Sequence, residues 1–437
     1  MSEPILIRGG RVLDPASGFD SVADVLIGNG VVERINPGIE APHARVLDAR
    51  GCLVTPGFVD LHTHLREPGF EQKGTVATET LAALRGGFTT ICAMPNTNPA
   101  PDAADVLRAL QERISRDARV RVFPIGCVTK GRAGASLAEI AELAAGGCVA
   151  LSDDGSPVAN ARLMRSAMEL AAALDIPISE HCDDPELSHG GSMNEGRVSE
   201  RLGLPGQPEA AEVTAIARNL ALCEATGARL HIAHVTTARG LDLVADAKRR
   251  GLPVTCEVTP SHLFLTEEAV FGVGSEPVYD TTAKINPPLR TEADRRALIA
   301  GVNAGIIDAI ATDHAPHAIE DKLCEFDDAA FGISCIETAL GSLLTLVARG
   351  ELDIEATFRA LTAGPASVFG FPSFTGTLSP GASAVTIVDP VHRWTVDPTR
   401  FASRGRNTPL AGVELTGAVR AVVLDGEVAF EMEAANA

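Results

Sequence analysis

The stretch Gly57-Phe58-Val59-Asp60-Leu61-His62-Thr63-His64 decides how this chain is read. It is a short apolar run ending on two imidazoles at i and i+2. Strand alternation puts side chains with that spacing on one face, where both can grip one cation. Taken alone, two hydrogen-bonded surface histidines would explain it as well. Other apolar runs end in the same fashion, however. Ile178-Ser179-Glu180-His181 and His231-Ile232-Ala233-His234 close on imidazoles, Leu151-Ser152-Asp153-Asp154 on two carboxylates, and Ile307-Asp308-Ala309-Ile310-Ala311-Thr312-Asp313 on one. Several convergent strand ends able to hold a metal or move a proton carry more weight than any single one.

Outward from these runs, short β-branched segments alternate with Ala/Leu-rich helical ones, the pattern of a parallel α/β architecture. Candidate strands end near His64, Pro95, Val128, Asp154, His181, His234, His262 and Asp313, with helical stretches such as 75–84, 103–114 and 137–145 between them. Eight strand–helix units predict a (β/α)₈, TIM-like barrel, in which chemistry gathers at the C-terminal strand ends. Both ends of the chain read differently. Alternating strands with tight turns occupy 4–10 and 25–30, and again 383–388 and 419–424, the last leading to a turn at Asp425-Gly426. They are expected to pair into a small β-sandwich domain. The predicted organisation is therefore 1–54 and 366–437 for that domain and 55–365 for the barrel.

Composition narrows the partners. With 57 acidic against 37 basic residues the net charge is −20, a surface that repels nucleic acid. A few arginines in a cleft still leave room for a small anionic substrate. Hydrophobic residues at 45% and charged residues at 22% fit a globular chain. Nine cysteines, an odd number without a CxxC pair, point to a reducing compartment rather than a disulfide framework. No apolar run reaches 18 residues, and no membrane association is expected. A cytoplasmic protein is the resulting expectation.

Five motifs in this order, His62-Thr63-His64-Leu65-Arg66, Met94-Pro95-Asn96-Thr97, Ser152-Asp153-Asp154-Gly155, Asn286-Pro287-Pro288-Leu289-Arg290 and Asp313-His314-Ala315-Pro316-His317, resemble those of the bacterial type I dihydroorotases in the amidohydrolase superfamily. The resemblance implies zinc held by His62, His64 and Asp313 at one position and by His181 and His234 at a second, with one or two ions per chain, two when fully loaded. A bridging ligand would join them. Relatives such as hydantoinases use a carboxylated lysine on the fourth strand, but no lysine occurs between Lys130 and Lys248. The bridge then falls to an aspartate. Alternation sends Asp153 and Asp154 to opposite faces, and the apolar flanks leave the choice open; the spacing to His181 in similar proteins selects Asp154.

The same resemblance assigns Asp313 as the catalytic acid–base group and places His64, Arg66, Asn96, Asn286, His317, Phe331 and Gly332 on the substrate. Arg66, Asn96 and His317 would hold a carboxylate, with Asn286 and the Phe331-Gly332 segment against a ring. A guanidinium is suited to the first task because its fork matches a carboxylate; pairing with Glu67 is the structural alternative for Arg66. His231 and His262 are expected as core or ligand-supporting histidines and His314 as a support for Asp313 or a cap. The implied activity is the reversible hydrolysis of dihydroorotate to N-carbamoyl-L-aspartate in pyrimidine biosynthesis. A hydantoinase- or allantoinase-type cyclic amidase is the alternative, as is a non-catalytic subunit supporting aspartate transcarbamoylase. A homodimer and an association with that transcarbamoylase are compatible with the resemblance.

Overall fold

The computed structural model describes residues 3–272 and 278–433. Part of the Gly/Pro-containing segment between His262 and Asn286 thus lies outside the described residues.

A run of parallel pairings organises the middle of the chain. Phe58–Thr63 pairs with Phe88–Ala93, which pairs with Arg121–Pro124. Single parallel bridges, Gly126 to Leu151 and Leu151 to Ile178, carry the ladder on to Ile178–Glu180. Leu230–Ile232, Val254–Val258 and Ala309–Ile310 follow in order, and a bridge between His314 and Thr63 returns to the first strand. Asp60 reinforces that return: its carboxylate accepts from Thr312 N at 2.9 Å and from the Thr63 and Thr312 hydroxyls. Parallel neighbours need long crossovers, and helices supply them. Val76–Arg85 starts at a reciprocal Thr75/Thr78 cap, and Ala161–Ala173 and Ala238–Arg249 start at Asn160 and Thr237, whose side chains accept from first-turn amides. Each turns a small or aliphatic face, such as Val76, Ala82 and Ala83, onto the strands.

Strands from both chain ends share one eight-stranded sheet. Leu53–Pro56 lies between Ile5–Asp14 and Ala384–Thr395, and Glu414–Leu424 and Glu427–Glu431 extend it on the C-terminal side. Phe19–Gly28 and Val31–Asn36 extend the other side, joined through Asn29-Gly30. This sheet has its own core around Ile7, Val12, Val25, Val54, Val385 and Ile387. At Gly57 the chain passes directly from it into the first parallel strand. A Cβ there would stand 2.1 Å from Thr89 Oγ1, so the close crossing requires glycine.

Two expectations need correction. The run at Leu151 forms only bridges and no strand, because Asp153 turns away to accept from the Val128 and Thr129 amides. The strand expected to end near His262 stops at Val258, and His262 lies in the helix Pro260–Phe264. Thr259 caps that helix, accepting from His262 N at 3.1 Å, and Pro260 occupies its first turn, two local signals for a helix start.

Candidate active site

Six side chains converge where the parallel strands end. His62, His64 and Asp154 bring donor atoms together, and so do Asp154, His181 and His234, so that Asp154 belongs to both groups. Asp154 Oδ1 is 3.3 Å from His62 Nε2, 3.6 Å from His181 Nδ1 and 3.7 Å from His234 Nε2, while Oδ2 is 3.7 Å from His64 Nε2. Asp313 Oδ1 lies 3.0 Å from His64 Nε2 and 3.5 Å from His62 Nε2. All six are buried. The neighbouring Asp153 faces the other way, onto the 128–129 backbone. The parity that sequence left open therefore falls in favour of Asp154 facing the imidazoles.

Local backbone aims several of these groups. His234 (φ 32°), Asp313 (φ 48°) and Arg66 (φ 65°) occupy the left-handed region, which costs non-glycine residues on the order of 1–3 kcal/mol and persists where surroundings enforce it. For Asp313 the enforcement is visible on both sides. Thr312 is bound to Asp60, and the His314 ring is held between Glu79 Oε2 at 2.8 Å and the Cys335 amide at 3.1 Å. His314 thus supports Asp313 by anchoring the backbone beside it, not by a hydrogen bond to its carboxylate. His262 is held by Thr259 and by the Pro287 carbonyl, consistent with the expected core role.

The electrostatics favour a cation among these imidazoles. Burial pushes the Asp154 carboxyl up, but the charge of His62 and contacts from His181 and His234 hold it well below the usual carboxylate range. Burial likewise works against charge on His62, yet Asp154 and Asp313 raise its pKa well above that of an ordinary imidazole. The two carboxylates require positive charge between them, which a proton or a metal ion can supply. The donor set suits a metal: His62 Nε2, which faces Asp154 and Asp313, is buried without a hydrogen-bond partner, and the mix of imidazole and carboxylate is what zinc takes.

A cavity of about 190 Å³ opens over these donors. Arg66, Asn96, Asn286, His317, Phe331 and Gly332 line it together with His64, Asp154, His181, His234 and Asp313. His62 alone of the expected residues is absent from the lining, since it lies fully buried beneath. Asn96 receives His64 Nδ1 at 2.8 Å and directs its amide to Asp154 Oδ2 at 3.3 Å. Arg66 donates to the Pro316 carbonyl at 3.0 Å and lies 3.3 Å from His317 Nε2; among the described residues it pairs with no carboxylate, Glu67 included. Burial lowers the Arg66 pKa to about 10, which leaves it charged. Burial and the cations Arg66, Lys73 and Lys322 lower His317 to about 3, so it is neutral at physiological pH. Asn286 Nδ2 stands 3.2 Å from His181 Nε2. At Gly332 (φ 137°) a Cβ would come within 2.7 Å of Ala315 Cβ, so the wall can approach His317 only as glycine.

Sequence reasoning missed Gly155, Ile285 and Ala315 in the lining and Glu257 below it. A carboxylate inside Val254-Thr255-Cys256-Glu257-Val258 is a conspicuous anomaly in an apolar strand and could have marked Glu257. Lys130, the one lysine near the fourth segment, pairs with Glu139 on the surface and takes no part.

Comparison with known proteins agrees with this geometry. A family model described as Dihydro-orotase-like matches residues 51–239. A dihydroorotase of Anaeromyxobacter dehalogenans is 50% identical over 99% of both chains, and one of Pelotomaculum thermopropionicum 48% identical over 98% of both. Among solved structures, an L-hydantoinase (dihydropyrimidinase) of Arthrobacter aurescens superposes with a TM-score of 0.87 at 25% identity, covering 98% of this chain and 96% of that one. A D-hydantoinase of a Thermus species gives 0.83 at 26%, covering 98% and 97%. Identity of about half the residues across nearly the whole length leaves no ambiguity of family: the chain belongs to the dihydroorotases.

Proposed function

We propose that this chain is a zinc-dependent dihydroorotase that interconverts dihydroorotate and N-carbamoyl-L-aspartate. The observation that carries the substrate is Arg66, a charged guanidinium on the cavity wall with no carboxylate partner among the described residues, set beside the metal-type donors. A ring that bears a carboxylate would complete it; a plain hydantoin would not. The parallel segments are read as a (β/α)₈ barrel over 55–365. The terminal sheet is read as a β-sandwich built from 1–54 and 366–437.

In this reading His62, His64 and Asp313 would hold one zinc and His181 and His234 a second, with Asp154, which belongs to both donor groups, shared between them. Zinc bound there supplies Lewis-acid activation of water and of the ring carbonyl near neutral pH. Arg66, Asn96 and His317 orient the substrate carboxylate, and Asn286 and the Phe331-Gly332 wall confine the ring, which fixes the amide over the donors. Asp313 takes the proton of the attacking water and returns it to the amide nitrogen as the C–N bond breaks. Ring closure is the same path reversed, with Asp313 taking the nitrogen's proton and releasing water. The carboxylate suits both directions because His62 and His64 hold its pKa down against burial, so it starts as a base.

The test is turnover of the zinc-loaded chain with dihydroorotate and N-carbamoyl-L-aspartate, beside hydantoin and allantoin. Selective interconversion of the first pair, abolished by chelation and restored by zinc, is expected. Turnover of hydantoin or allantoin alone would overturn the substrate assignment.

A further inference from the structure

Beneath the donors lies a polar chain that crosses three parallel strands. His62 Nδ1 meets Glu257 Oε1 at 2.9 Å, His231 Nε2 stands 3.1 Å from Glu257 Oε2, and His231 Nδ1 meets the Thr255 hydroxyl at 2.8 Å. His62 and His231 are fully buried and Glu257 is 1% exposed. A charged carboxylate at that depth costs several kcal/mol on the order of its desolvation unless its partners are well placed. Apolar residues would fill this space at no such cost, and Leu61, Cys92 and Val258 already do so nearby. The acid therefore has a purpose that packing does not supply.

We propose that Glu257 is a positioning residue for the metal centre, its carboxylate fixing the orientation and the Nδ1–H tautomer of His62, while His231, itself bound to Thr255, stands against the carboxylate's second oxygen. The chemistry is directional. An imidazole that binds a cation through Nε2 must carry its proton on Nδ1, and a carboxylate at 2.9 Å accepts that proton's hydrogen bond and no other arrangement. His231 presents its Nε2 to the second oxygen at an angle poor for a hydrogen bond, and no other group reaches either atom. A proton on that nitrogen still avoids setting a lone pair against the anion. The Thr255 hydroxyl then donates to His231 Nδ1. Orientation matters for His62 because its Nε2 faces both Asp154 (3.3 Å) and Asp313 (3.5 Å). A small rotation of this ring would spoil both contacts at once.

This inference rests on the metal-centre reading, and the experiment separates the two. The full chain is stripped of metal, and zinc is titrated in competition with a chromogenic chelator for the wild type, Glu257→Leu and Glu257→Gln, with the unfolding temperature of each metal-free protein measured alongside. Loss of a partner of this kind weakens metal binding by roughly 10–100-fold. Glu257→Leu is expected to show that loss, and Glu257→Gln a smaller one, because its amide oxygen still accepts from Nδ1. A purely structural role would lower the unfolding temperature and leave the zinc affinity of the folded protein unchanged. Zinc affinity within twofold of wild type in a folded Glu257→Gln protein would overturn the proposal, and that variant decides the matter if Glu257→Leu does not fold. A wild-type chain that takes up no zinc would overturn the metal-centre reading and this inference with it.

Discussion

The two ends of the cavity are built by different means. At the donor end His62, Asp154, His181, His234 and Asp313 sit at or just beyond strand ends, all buried, and the network through Asp60, Glu79 and Glu257 holds their backbones and rings from below. At the recognition end Arg66, Asn286, His317, Phe331 and Gly332 sit on connecting segments, and Phe331 is 37% exposed. The first end is fixed by the ladder, the second by contacts between loops. Chemistry needs reacting groups held to within a fraction of an ångström, whereas ring selection tolerates a wall that is assembled loop by loop. Substitutions at the donor end should therefore act on turnover, and those at the recognition end on substrate binding.

The largest effect expected from this division is at Asp313. Asp313→Ala removes the proton acceptor but leaves His62, His64, Asp154, His181 and His234 to hold metal. Turnover should fall by about 10²–10⁴-fold, the usual contribution of a positioned acid–base group, with the fold and much of the zinc retained. Steady-state kinetics with metal analysis of the same sample checks it. Wild-type-like turnover would remove Asp313 from the chemistry and break the distinction at its strongest point.

Arg66→Ala should act mainly on KM. A hydrogen-bonded charge pair contributes roughly 1.5–3 kcal/mol, which corresponds to about 10–150-fold in binding. The KM for dihydroorotate should rise by that order, with turnover changed far less. If turnover falls as much as binding, Arg66 acts in the transition state, and the recognition end is not separate from the donor end.

How much of this was legible beforehand follows the same division. The donor end could be read because each of its side chains terminates an apolar run: His62 and His64 by their i, i+2 spacing, His181, His234 and Asp313 by ending runs of their own. The α/β alternation and the β-rich chain ends were legible for the same reason, since periodicity is local. The choice between Asp153 and Asp154 was not, because it depends on the 128–129 amides that capture Asp153 from another strand. Nor was the end of the Val254–Val258 strand, where apolar periodicity runs on into His262 but the Thr259 cap and Pro260 win. The recognition residues rested on resemblance alone, for nothing local in Phe331-Gly332 announces that it will meet His317. Long-range pairing of irregular segments leaves no period in the sequence.

The smallest effect, and the sharpest test of loop assembly, is at Lys322. Its buried ammonium donates to the carbonyls of Thr281, Lys284 and Ala330 at 2.9, 3.1 and 2.5 Å, with no carboxylate in the set. Lys284 answers from the opposite side, donating to the Phe326 and Asp327 carbonyls and standing 4.5 Å over the Phe331 ring. These two lysines tie the segment that leads to Asn286 to the one that carries Phe331 and Gly332. Lys322→Met keeps the length of the side chain and removes the three donors. Stability should fall by about 1–3 kcal/mol, as expected for buried carbonyls left unsatisfied, and KM should rise a few-fold, roughly the factor that 1 kcal/mol produces, while turnover holds. Lys322→Arg should recover part of the KM, since a guanidinium can still reach carbonyls. Kinetics and thermal unfolding of both variants separate the outcomes. A loss of stability with KM unchanged would mean that the Gly332 N to Lys284 O bond (2.9 Å) and the His317 to Phe331 O contact (2.8 Å) hold the wall without the lysine. The recognition end would then be fixed as locally as the donor end, and the contrast between them would lie in exposure rather than in construction.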